Sequence, residues 1–110
     1  AKALGNIGPQ GRYAVPSLTN ALDAGNAELR KEAVIALGKI GYPSQQSTKA
    51  LTRSLKDPIA EVRLEVIQAL MKNNSSTPDV IAGLETLVEK ERNKEIKKTA
   101  EKAILQLKSL

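Results

Sequence analysis

Four glutamates fall into two pairs, Glu28 with Glu32 and Glu61 with Glu65, each spaced so that both carboxylates would share one face of a helix. Paired carboxylates can hold a hard cation such as calcium, or divide general acid and general base roles between them. Each pair has Lys or Arg beside it in sequence, however, and selecting such a cation normally takes about six oxygens. Helices packed as neighbours would also keep the two pairs about 8–10 Å apart, too far for one ion to join both easily. The chain has no Cys and no His, which removes thiolate nucleophiles, imidazole bases, disulfides and most transition-metal sites. The glycine-rich stretch Gly5-Asn6-Ile7-Gly8-Pro9-Gln10-Gly11 fits neither a phosphate loop nor a dinucleotide fingerprint. The expectation is a non-enzyme with no cofactor, no metal and no catalytic residue.

What positions these groups is a repeat. Leu18, Leu51 and Leu84 recur at a spacing of 33, as do Val15, Thr48, Ile81 and Leu22, Leu55, Val88. A second set, Leu29, Arg30, Ala33, Ala36 and Leu37, returns 33 later as Val62, Arg63, Val66, Ala69 and Leu70. It returns again after a step of 34 as Ile96, Lys97, Ala100, Ala103 and Ile104, which implies one inserted residue around Glu89 to Asn93. A fixed period of this length is the signature of stacked supersecondary units, each unable to bury its apolar face alone.

Each unit reads as two amphipathic helices, because its apolar residues follow the i, i+3, i+7 stripe of a helix. First helices are predicted near residues 13–24, 47–56 and 79–90, and second helices near 27–40, 58–72 and 94–109. Pro16, Pro58 and Pro78 stand where a first turn tolerates a missing N–H, and Asp57 is the expected N-cap ahead of Pro58. Gly8 and Gly41 are placed to close second helices that Pro9 and Pro43 then prevent from continuing. Gly5 and Gly38 lie inside helices at a cost of about 1 kcal/mol each relative to Ala, which close approach of a neighbouring helix would offset. The core must be Leu, Ile, Val and Ala, since aromatic residues are 2% of the chain, with no Phe or Trp.

These residues resemble the HEAT repeat family, in particular its short, phycobilin-lyase-like class. The stretch Leu29-Arg30 through Ala33, Ala36-Leu37-Gly38 and Ile40-Gly41 is similar to that class's second-helix signature, and Asp57-Pro58 through Val62-Arg63 to its Asp, Pro, Val-Arg arrangement. The resemblance implies an all-α fold, an α-solenoid of antiparallel helix pairs. It comprises residues 1–8 as the tail of a truncated repeat, followed by repeats at 13–46, 47–78 and 79–110. The third repeat departs from the pattern, with Lys97 replacing Arg and no closing Gly, and reads as a C-terminal cap whose Leu105, Leu107 and Leu110 pack inward. The short first copy predicts a fragment of a longer repeat protein, with Ala3, Leu4 and Ile7 as an open edge suited to self-association.

The resemblance further implies that second helices line the concave face. Its ladder would be Lys31, Leu64 and Lys98; Ile35, Gln68 and Lys102; Lys39, Lys72 and Gln106. Five lysines among nine positions, with Ile35 and Leu64 exposed beside them, suit a partner protein or peptide of acidic character through summed Coulomb attraction. Arg30, Arg63 and Lys97 form a second ladder, implied to bridge repeats by donating to acids or helix-end carbonyls, with Asp23, Asp57, Glu28 and Glu61 as available acids. The net charge of +5 also allows sequence-independent contact with a nucleic-acid backbone, although base stacking calls for aromatics that are scarce here. A third reading is an accessory domain of a lyase-type enzyme whose chemistry lies elsewhere. Relatives with enzymatic sites carry paired His-Glu motifs or aromatic-lined clefts, and neither residue set exists here. No apolar run approaches the ~20 residues of a membrane span, and the lack of Cys fits either the cytosol or an extracytoplasmic space.

Overall fold

The computed structural model describes residues 15–40, 45–73 and 75–109. Six helices follow in order: α1 (Val15–Ala21), α2 (Ala27–Ile40), α3 (Gln45–Ser54), α4 (Ala60–Lys72), α5 (Pro78–Lys90) and α6 (Lys94–Lys108). They pair as α1 with α2, α3 with α4 and α5 with α6. Successive pairs stack so that α2 packs on α4 and α4 on α6, while α1 packs on α3 and α3 on α5. The result is two helix layers in a slab of 33 × 30 × 18 Å, the short dimension being about two helix diameters. This is the all-helical solenoid that the spacing predicts. Ala3, Leu4, Gly5, Ile7, Gly8, Gly41 and Leu110 lie outside the described residues.

The repeated positions are the buried ones. Leu18, Leu51 and Leu84 lie between the layers, as do Ala33, Val66 and Ala100, and the cluster they join runs unbroken through all three pairs. Full burial of each large aliphatic side chain contributes about 1.5–3 kcal/mol. Between second helices the small residues set the spacing: a Cβ added at Gly38 would stand 3.2 Å from Ala69 Cβ and 3.3 Å from Ala69 Cα. The interior glycine is therefore tied to the closeness of α2 and α4.

Helix ends depart from the predicted bounds for local reasons. After α1 and α3 the chain tightens into i→i−3 turns, with Leu22, Asp23 and Ala24 N–H donating to Thr19, Asn20 and Ala21 carbonyls, and Leu55, Lys56 and Asp57 to Thr52, Arg53 and Ser54. Pro58 is exposed and outside the helix, and the N-cap of α4 is Ile59, with no side-chain cap. Asp57 is not the cap because its carboxylate is committed elsewhere, accepting the N–H of Ile59 at 2.9 Å in a local turn and the guanidinium of Arg30. Thr77 caps α5 ahead of Pro78, and Asn93 caps α6, its Oδ1 accepting from Glu95 and Ile96 N–H.

The outer face of the third pair differs in chemistry from the junctions before it. Val34 and Ile67, both fully buried, are succeeded in register by Glu101, which is exposed. Leu107 packs inward, but Leu105 is 73% exposed, contrary to the inward packing expected of it. It occupies the register of Gly38 and Met71, the side of the second helix that faces the following repeat.

Candidate functional site

The second helices run parallel, with their starts together at one edge of the slab. At that edge Arg30 donates through Nε to Asp57 Oδ2 at 2.7 Å and through Nη2 to Oδ1 at 3.3 Å, while Nη1 donates to the Ala24 carbonyl at 2.7 Å. Arg63 repeats the pattern one unit on: Nε and Nη2 donate to Glu91 at 2.8 and 3.1 Å, and Nη1 to the Asp57 carbonyl at 2.8 Å. Each guanidinium thus closes the end of its own unit's first helix and reaches the acid of the next unit, a use of the planar fork that Lys cannot reproduce. The hydrogen bond from Arg63 is the main cause holding the Glu91 carboxyl below its ordinary range, opposed by burial. Lys97, third in register, is exposed and has no ion pair among the described residues.

Lys31 is withdrawn from the predicted binding ladder by its neighbours. Its ammonium lies 3.1 Å from Glu61. Its pKa is raised, first by that hydrogen bond and its charge, with smaller Coulombic contributions from Glu28 and Glu65. The repulsion within the two carboxylate pairs is therefore relieved by a lysine, and among the described residues no group of three or more acids could hold a metal ion. Ile35 and Leu64, expected to be exposed, are half-buried, and Leu64 packs against the core.

The rest of the ladder is open. Lys39, Gln68, Lys72, Lys98 and Lys102 are exposed, and none of these lysines has an ion pair among the described residues. Gln106 is half-buried and its Nε2 donates to the Met71 carbonyl at 3.5 Å. Charge along the layer is graded, not uniform. Glu28, Glu61 and Glu95 stand in the first turns of α2, α4 and α6, and Lys39, Lys72 and Lys108 in their last turns. That order complements the helix dipoles and leaves Lys39 and Lys72 exposed where α2 and α4 end, with Gln106 third in their register and Lys102 exposed one turn further back on α6.

Two features escaped the spacing argument. Glu91 was not among the acids expected for Arg63, because the inserted residue shifts it out of the 33-residue register; applying the 34-residue step to Asp57 would have found it. Arg53, Lys56, Lys90 and Arg92 surround a groove between α3 and α5, on the layer to which no binding role was attached.

A family model described as HEAT repeats matches residues 15–104. No curated protein matches the chain.

Proposed function

The chain belongs to the HEAT-repeat family, whose repeats generally serve as protein-interaction scaffolds, and from that premise we propose a non-enzymatic scaffold that holds an acidic segment of a partner protein on its second-helix face. The observation that carries this reading is the exposure of Lys39, Lys72 and Lys102 on three adjacent parallel helices, none of them in an ion pair among the described residues. Cations on one face sum their potentials, which suits an anionic segment and raises its encounter rate. Lys98 and Gln68 are exposed as well, and Ile35 and Leu64 add half-buried apolar area.

The test is fluorescence anisotropy of a labelled glutamate-rich peptide against the chain and its Lys39→Glu, Lys72→Glu, Lys102→Glu variant. Loss of binding in the variant, with undiminished helical circular dichroism, supports the assignment. Unchanged binding removes it. Duplex DNA titrated in parallel separates the partner classes: DNA bound more tightly than the peptide at moderate salt would replace a protein partner with a nucleic-acid backbone.

A further inference from the structure

On the opposite layer, α3 and α5 border an open groove of about 780 Å³ near their C-terminal ends, within the size range of ligand pockets. Its floor is aliphatic and small: Leu55, Ala82, Gly83 and Leu87 line it. The helices touch at Gly83, where an added Cβ would stand 3.0 Å from Leu55 Cδ1 and 3.3 Å from Thr52 Cγ2. The rim carries Arg53, Lys56, Lys90 and Arg92, all exposed and none in an ion pair among the described residues. The acids of the lining, Asp57 and Glu91, are already held by Arg30 and Arg63. Arg53 and Lys90 stand in last helical turns, where the dipole favours cations. Lys56 and Arg92 lie just beyond the ends of α3 and α5, and the acids beside them in sequence, Asp57 and Glu91, are engaged by Arg30 and Arg63.

We propose that this groove is a second docking site, distinct from the second-helix face, for an acidic linear segment of another protein that inserts one aliphatic side chain between α3 and α5. Charge selects the class of occupant, because four cations with no ion pair among the described residues surround a cleft whose own carboxylates are held by Arg30 and Arg63. The lining selects a peptide over a nucleic acid: Leu55, Leu87, Ala82 and Gly83 accept an aliphatic group, and none of the residues lining the groove is an aromatic on which a base would stack. Carboxylates at either side of that apolar residue meet the rim cations, and Arg53 and Arg92 offer forked donors to them.

The experiment is backbone amide NMR titration of the chain with a short glutamate-rich peptide carrying one leucine, carried out also in the Lys39→Glu, Lys72→Glu, Lys102→Glu background. The expected result is shifting of the Gly83 and Thr86 amides in both proteins, with affinity at that site preserved in the triple variant. It should weaken about tenfold or more in an Arg53→Glu, Lys56→Glu, Lys90→Glu, Arg92→Glu variant, and be lost in Thr86→Trp, where an indole fills the cleft from an exposed position. A peptide with glycine in place of leucine should bind the groove several-fold less tightly. Shifts confined to α2, α4 and α6, equal binding of the glycine peptide, or tighter binding of duplex DNA at Gly83 would each overturn the proposal. The triple background keeps its failure separate from failure of the second-helix reading.

Discussion

Asp57 and Glu91 do the same work in successive units: each carboxylate accepts a forked pair from the arginine of the preceding unit and an N–H from the residue two positions on, Ile59 at 2.9 Å and Asn93 at 3.2 Å. The equivalence holds although one side chain is a carbon longer and the turn carries an inserted residue. The ladder is thus fixed by where the carboxylate must arrive, and the backbone accommodates it.

Asp57→Ala should destabilise the fold by about 2–3 kcal/mol, because it leaves the largely buried Arg30 guanidinium without its acid and the Ile59 N–H without an acceptor. The side chains of Arg30 and Asp57 are 13% and 6% exposed. Urea unfolding of Asp57→Ala, Arg30→Ala and the double variant measures the effect. The double variant should be less destabilised than the sum of the singles, and additivity would show that the two residues act independently.

The lowered carboxyl of Glu91 gives the fold a pH dependence of known sign. Because its folded pKa lies below the unfolded value, with the Arg63 hydrogen bond as the largest cause, the stabilisation is present above the ordinary carboxylate range. It is lost as pH falls through the lower folded value. Urea midpoints followed downward from neutral pH should fall less steeply for Glu91→Gln than for the parent. Parallel curves would assign the acid sensitivity to other carboxylates.

How much of this could be read from residue order differs between the helices and their junctions. The recurrence of Leu18, Leu51 and Leu84 carries the two-layer stack directly, since a period fixes which residues share a face. The acid that each arginine chooses is a matter of three-dimensional approach: Arg30 passes over Glu28, two residues away, for Asp57, twenty-seven residues away. Lys31 reads as a groove cation until Glu61, thirty residues away, is seen beside it. Leu105 reads as core until its register is matched to Gly38, and the groove between α3 and α5 depends on how the two helices pack, which no periodicity encodes.

Gly38→Ala should lose stability even though Ala is the better helix former by about 1 kcal/mol. The new methyl meets the Cα as well as the Cβ of Ala69, so α4 itself would have to shift, and overpacking of this kind typically costs about 1–3 kcal/mol. Gly25→Ala, with nothing within 4 Å of its added Cβ, is the control and should be neutral or stabilising. Thermal unfolding of the two variants checks the contrast, and equal midpoints would refute it.

Asn26, Ile59 and Asn93 share a register, and the two asparagines cap their helices where the isoleucine does not. Asn93→Ala should therefore cost about 1 kcal/mol. At position 59, where apolar area is lost either way, Ile59→Asn should be more stable than Ile59→Ala by a similar amount. Chemical unfolding of the three variants decides it, and identical values at position 59 would mean that α4 gains nothing from a cap there.

Because the carboxylate of Asp57 is held by Arg30 while its carbonyl is held by Arg63, consecutive junctions are fastened in series along one margin. Among the described residues the opposite margin, where the second helices end, is joined by the close approach of Gly38 to Ala69 and by the hydrogen bond from Gln106 to the Met71 carbonyl. Charge thus fastens one edge and apolar packing the other, so acid should loosen the arginine edge first.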